Sequence, residues 1–376
     1  MSIRAAWSSF LPLMLALPAS AQCLEWDASF DFQGGVSGPL LYAQAIFDDG
    51  SGPALYVGGR FQTAGSVPAA NLARWNGSSW SGVGGGTGGS DPTVRALEVF
   101  DDGTGPALYA AGSFASAGGV PANHVARWNG TSWSPLGGGI TGTASVLRVF
   151  DDGSGPRLYA GGMFSSAGVP GTVGIACWDG SAWTSVGGGL NSGSYCLEVL
   201  DDGFGPALYA GGEFTSAGGL PASKVARWNG TNWSALGPGL NLWVSALGVF
   251  DDGAGPAIYA GGTFMSSGGS PVSRFAKWDG VSWAEVGGGL KSAAYCMRVF
   301  DDGSGPRLYV GGGFTSTGTL AARFIARWDG TAWSTVGSGA NHMVFDLLEH
   351  DAGNGPGLFA AGTFSEAGGV GTPGIA

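Results

Sequence analysis

Six Asp-Asp-Gly sequences recur along the chain, at Asp48-Asp49, Asp101-Asp102, Asp151-Asp152, Asp201-Asp202, Asp251-Asp252 and Asp301-Asp302, with Asp351 in a degraded seventh copy. Clustered carboxylates can bind Ca²⁺ or form an acidic rim that attracts a basic partner. A calcium loop needs oxygens at alternating positions and a bidentate carboxylate, and Asp-Asp-Gly-x-Gly-Pro supplies neither. The same residues suit a tight turn, in which the carboxylates cap the backbone and glycine lets it close. No metal is expected, and the twelve paired carboxylates remain a candidate acidic binding face.

The other residues with chemical potential are few. Paired tryptophans such as Trp75/Trp80 and Trp128/Trp133 could stack on sugars, but their recurrence in every repeat points to core packing. Trp243 breaks the pattern, with Asn241 beside it, and both are candidate contacts for a ligand or partner. A basic residue precedes the first tryptophan of five pairs (Arg74, Arg127, Arg227, Lys277, Arg327), where a structural partner among carbonyls or acidic groups is expected; Cys177 and Glu25 stand at the same position, so no single ligand demands it. Glu98, Arg148, Glu198 and Arg298 alternate in sign at one repeat position, which suggests charge pairing between neighbouring repeats. Cys196 and Cys296 lie two repeats apart and are not expected to bridge; all four cysteines are expected as small buried hydrophobes. No metal-spaced His/Cys set, CxxC, phosphate loop or Ser/His/Asp arrangement is evident, so no cofactor is implied.

The elements that position these residues follow from the repeat. Its period is 50 residues, with one interval of 53. Each period holds four short segments rich in β-branched and aromatic residues, as in Val94 to Phe100, Ala107 to Phe114, Val125 to Trp128 and Trp133 to Leu136. Asp-Asp-Gly-x-Gly-Pro joins the first two, and Asn-Gly or Asp-Gly, a type I′ hairpin signature, joins the last two. A small-residue loop joins the middle pair. Nothing has helical periodicity. A four-stranded unit of this length is one propeller blade. The expected fold is all-β, a seven-bladed β-propeller of four-stranded antiparallel blades.

Seven Leu-Tyr/Phe motifs end at Phe359, and Trp26 is counted as the seventh third-strand tryptophan. Ile375-Ala376 falls mid-repeat, and Cys23 to Asp27 resembles the missing continuation. The last blade is therefore expected to take two strands from each terminus, which removes the open sheet edges. By topology one face of the ring carries the Asp pairs and Asn/Asp-Gly hairpins, and the other carries the glycine runs and small apolar loops.

Residues 1–22 read as a secretory signal, with Arg4, an apolar Phe10 to Leu17 and Ala19-Ser20-Ala21 before the cleavage point. Cys23 raises lipidation as an alternative, disfavoured by Gln22 before it. Residues 23–376 form the propeller domain, and no segment is apolar enough to span a bilayer. A net charge of −11 argues against nucleic-acid and anionic-membrane partners.

The order hydrophobics-Gly-Gly, an aromatic strand, then Trp five residues on resembles kelch-type and galactose-oxidase-like propellers. Leu-Tyr-x-Gly-Gly-x-Phe-x-x-Ala-Gly-Gly followed by Ala-Arg-Trp-Asn/Asp-Gly is closer in wording to fungal cell-surface polarity-marker repeats and exported bacterial propellers. The resemblance implies that the first strand lies innermost. The copper site of galactose-oxidase-like members needs histidines in a set, and His124, His342 and His350 do not form one, so oxidase activity does not carry over. Function is expected to be non-enzymatic, a monomeric module secreted or held in the periplasm or at the cell surface, that binds a protein or glycan. Two alternatives stand beside it: a hydrolase or lyase at the mouth of the central channel, whose non-repeat candidates are His342, His350, Asn241, Trp243 and Asp91, and a structural or adhesion component.

Overall fold

A computed structural model describes Trp26, Val36, residues 40–351 and residues 355–376. The signal segment and the pieces around Cys23, Phe30 and Gly34-Gly35 lie outside the described residues. Among the described residues there is no helix, hence none long and apolar enough to cross a membrane. Six four-stranded antiparallel sheets follow one another, each with its strands in chain order from the axis outward. A seventh unit is built on the hairpin of Val344–Asp351 with Pro356–Gly362. The innermost strands each lie against the next, and Val344–Asp351 lies against Leu40–Asp48, closing a ring of seven blades.

Blade 2 shows why this sequence makes this sheet. Val94–Asp101, Pro106–Gly112, Val125–Trp128 and Trp133–Pro135 are its strands. Side chains alternate across a strand, so Leu108 and Ala110 pack toward blade 1 while Tyr109 and Ala111 pack toward blade 3. Both faces are covered, so the second strand is apolar throughout. Seven such interblade cores run around the ring, including one of blade 7 on blade 1. Each fully buried tyrosine or leucine contributes about 1.5–3 kcal/mol of apolar transfer, set against its lost conformational freedom. The tryptophan pairs belong to these cores: Trp128 and Trp133 lie 5.3 Å apart on the blade 1 side, and the Trp133 indole donates to the Val83 carbonyl of that blade.

The small-residue loop between the second and third strands is more regular than expected. It folds into a two-residue ladder, Ser116–Ala117 with Val120–Pro121, repeated in most blades.

Closure of the seventh blade departs from the expected division. Ile375 pairs with Ala361, and Ala376 and Ala360 exchange two main-chain hydrogen bonds, so the C-terminal residues already begin the third strand. Trp26 takes the place of a fourth-strand tryptophan, not a third-strand one. Its indole donates to the Val336 carbonyl, as Trp133, Trp183, Trp233 and Trp283 donate to the carbonyls of Val83, Leu136, Val186 and Leu236. Trp26 also lies against Gly368 as Trp133 lies against Gly118. One tryptophan looks like another in sequence; the carbonyl of the neighbouring blade distinguishes them.

Candidate functional site

The Asp-Asp-Gly turns are occupied by their own backbone. Asp101 accepts from the amides of Gly103 and Gly105 at 2.8 and 3.0 Å. Asp102 points inward, accepting from Thr104 and from the Tyr109 hydroxyl at 2.8 Å, and it pairs with Arg127 at 3.3 Å. The same arrangement joins Asp49 to Tyr56 and Arg74, Asp202 to Tyr209 and Arg227, Asp252 to Tyr259 and Lys277, and Asp302 to Tyr309 and Arg327. Burial opposes ionisation of these inner carboxylates, but hydrogen bonds and the neighbouring cation outweigh it and hold each below the usual range. In blade 3 the basic position is Cys177, and Arg157 approaches Asp152 from the second strand instead, at 3.8 Å. The outer carboxylates, Asp48, Asp101, Asp151, Asp201, Asp251 and Asp301, are exposed. Four Asn/Asp-Gly hairpins adjoin the preceding blade's Asp turn, Gly130 against Asp49, Gly180 against Asp102, Gly230 against Asp152 and Gly330 against Asp252, so hairpins and turns sit on one face.

The opposite face holds the mouth of the central channel. Every innermost strand carries a β-bulge near its start, where two residues stand opposite one on the second strand. The bulged residues are Tyr42, Arg95, Ser145, Tyr195, Ser245, Tyr295 and Phe345, and all seven line the channel. A bulge breaks the alternation and re-aims one side chain. The bulge depends on the glycine at the end of the second strand: a Cβ on Gly112 would meet the Thr93 carbonyl oxygen at 1.9 Å.

These bulged residues differ from blade to blade, whereas the second-strand tyrosine is kept in six blades and the third-strand tryptophan and turn glycines recur. Phe345 lies 5.0 Å from Tyr42 and 5.2 Å from Tyr295, forming an aromatic wall across blades 6, 7 and 1. Arg95 sits over the Tyr42 ring at 5.2 Å. Across the mouth Tyr195 contacts Trp243, whose ring is 49% exposed, and donates to the sulfur of Met163. Among the described residues, the exposed large apolar side chains Val120, Met163, Leu220, Leu242, Trp243 and Met265 lie on this side of the ring, and Phe204 and Val281 on the other.

Below the mouth the channel is about 480 Å³ and charged. Glu98, Arg148, Glu198 and Arg298 line it, with Asp346 one level nearer the mouth. Arg148 and Glu198 pair between blades, whereas Arg298 forms no ion pair among the described residues. Burial pushes Glu98 up to about 7 and Asp346 up to about 6, against the pull of Arg148 on the first and of main-chain amides on the second. Cys196 and Cys296 line the channel as free thiols, buried and half-buried, and burial pushes both up; Cys177 is free and buried in the wall between blades.

Chains of similar fold are known among solved structures. Two structures described as the extracellular domain of a two or one component system, BT4673 of B. thetaiotaomicron, align with TM-scores of 0.54 and 0.53 at 12% identity. The alignments cover 91% and 92% of this chain and 38% and 39% of those chains, so this chain spans well under half their length. Neither a protein-family model nor a curated protein matches it. The likeness is one of fold.

Of the non-repeat residues singled out from sequence, Asn241, Trp243, His342 and Asp91 lie in loops on the mouth side and His350 at the Asp-turn end of its strand, and none lines the channel. Asn241 accepts from the amides of Met265 and Ser266, the same loop-bracing contact that Asn191 and Asn341 make. His342 stacks on Phe324 and bonds Thr363, His350 lies against Phe359, and Asp91 pairs with Arg60 at 2.8 Å. The bulged ring itself was not singled out. Its signal was available in the second-strand glycine kept in every blade (Gly59, Gly112, Gly162, Gly212, Gly262, Gly312, Gly362), but a bulge is recognised only once the partner strand is in register.

Proposed function

We propose that this chain is an exported binding module whose ligand site is the mouth of the central channel. The observation that carries the reading is the bulged ring. Seven equivalent positions, aimed at one opening, carry Tyr, Arg, Ser, Tyr, Ser, Tyr and Phe, whereas the buried tyrosine that follows on the next strand is kept in six blades and replaced by Phe359 in the last. Packing leaves this position unconstrained, yet five of the seven blades place a large aromatic or an arginine there, the side-chain types that supply binding surface. An asymmetric lining suits an asymmetric ligand, a glycan or a segment of protein, with Trp243 and its brace Asn241 at the rim. The signal-like leader and the extracellular neighbours support export, and the repeat wording supports a kelch-like lineage. The Asp-pair face serves mainly the turns it caps, with its outer carboxylates left as a secondary docking surface.

A second reading, a hydrolase or lyase at the same mouth, draws on Glu98 and Asp346, two channel carboxylates raised toward neutrality. A glycan array and pull-down with the wild type, Tyr295→Ala and Asp301→Asn separate these readings. A ligand held by the wild type and Asp301→Asn but lost by Tyr295→Ala supports the mouth. Retention by Tyr295→Ala with loss in Asp301→Asn would move the site to the other face, and turnover of a captured glycan would make the protein an enzyme.

A further inference from the structure

Charge in the channel is unevenly paired. Nine ion pairs join side chains among the described residues, and Arg148 with Glu198 is the one inside the channel. Arg298 occupies the equivalent position of blade 6, flanked at its own level by Gly248 and Leu348; among the described residues it makes no ion pair, and Glu98 and Asp346 attract it only from beyond contact distance. Arg95 at the mouth lies on the Tyr42 ring and likewise has no ion pair. Arg95, Arg148 and Arg298 share the cavity with Glu98 and Asp346, and in a chain of 27 acidic and 16 basic residues two of these three guanidiniums have no carboxylate at contact distance among the described residues. Arg95 and Arg298 are both exposed to the channel, so their guanidiniums are open to a ligand's carboxylate.

We propose that the channel takes an acidic saccharide, its carboxylate seated on Arg298 and its ring against the wall formed by Tyr295, Phe345 and Tyr42. This rests on the mouth reading above. The planar fork of a guanidinium matches a carboxylate with two parallel hydrogen bonds. Aromatic faces 5.0 and 5.2 Å apart offer a broad apolar surface to a sugar ring. The cavity, about 480 Å³, has the size of a small-molecule site. Glu98 and Asp346 discriminate among anions: a dianionic phosphate faces their charge, whereas a single carboxylate accepts a hydrogen bond from Glu98, a carboxyl that burial keeps partly protonated at neutral pH.

Calorimetric titration of the chain at pH 7 with trigalacturonate, with neutral galactotriose and with a sulfated galactotriose tests this. Trigalacturonate is expected to bind at least tenfold more tightly than either other sugar. Arg298→Gln is expected to erase that preference, and Arg298→Lys to restore part of it, with the melting temperature of both variants close to the wild type. Equal affinity for the acidic and neutral sugars, a preference for the sulfated one, or a preference that survives Arg298→Gln would overturn the inference while leaving the mouth reading standing. Absence of binding by all three sugars overturns it too, and the array with Tyr295→Ala then decides the mouth reading separately.

Discussion

The main-chain amide of Gln44 donates to the Asp346 carboxylate at 2.7 Å, joining residues 302 positions apart across the seam between blades 7 and 1. Asp346 also accepts from the Leu347 amide, and the Gln44 side chain reaches the Phe359 carbonyl. Asp346→Ala removes the acceptor and leaves a buried amide unsatisfied, at a cost of about 1–3 kcal/mol. Asp346→Asn keeps a carbonyl oxygen and is expected to lose less. Urea unfolding of the two variants measures this, and an Asp346→Ala midpoint equal to wild type would remove the seam from the stability of the ring.

Stability is expected to decline from about pH 4 to pH 7. Glu98 rises from an ordinary 4.5 to about 7 in the folded chain, and Asp346 from 3.8 to about 6. The folded state therefore holds more protons than the unfolded state between roughly pH 4 and 7. The stability these groups contribute is full below their unfolded values and is lost as pH rises through the folded ones. The inner Asp carboxylates of the turns, held low, act in the opposite sense only below about pH 4. Thermal melts across pH check the slope, and Glu98→Gln should flatten it.

Tyr109→Phe deletes the hydroxyl that donates to Asp102 without changing the packing of the ring. A hydrogen bond to a charged acceptor contributes about 1.5–3 kcal/mol. Arg127 still pairs with Asp102 in the variant, so the lower part of that range is expected. A chemical denaturation curve unchanged from the wild type would mean that the arginine alone holds the carboxylate.

Two glycines should respond differently to alanine. Gly112→Ala drives a methyl group into the Thr93 carbonyl and abolishes the bulge, so the protein should fail to accumulate or should melt far below wild type. Gly103, at φ +93°, has open space around it, and Gly103→Ala meets only backbone strain, about 1 kcal/mol. Melting temperatures of the purified variants decide, and similar losses for both would refute the steric role of Gly112.

Trp243→Ala should leave stability within about 1 kcal/mol, since its ring is half exposed and touches Tyr195 alone among aromatics. Retention of the ligand identified on the array should fall. A large drop in melting temperature with unchanged retention would make Trp243 a packing residue.

The blade order, the turns and the partition of loops between two faces were legible because each is local. The repeat period, the Asn-Gly hairpins and the alternating apolar strands need no distant partner to be recognised. The acidic pairs were legible as turns for the same reason, since Asp101 caps amides two and four residues away. Their inner members were harder: that Asp102 meets Tyr109 and Arg127 depends on the register of three strands.

By itself the sequence determined a ring of repeated four-stranded blades, because a period of 50 residues with fixed turn chemistry repeats one local solution seven times. Only the tertiary structure decided what happens at the axis. Glu98, Arg148, Glu198 and Arg298 read along the chain as an alternating row, but only Arg148 and Glu198, on neighbouring blades, come into contact, and Arg298 faces an open channel. Tyr42, Arg95, Tyr195 and Tyr295 read as unremarkable strand residues until the bulges turned them to one mouth. The reason is physical: which side chains converge at the centre of a ring depends on register and closure, and both are set by contacts between blades far apart in sequence.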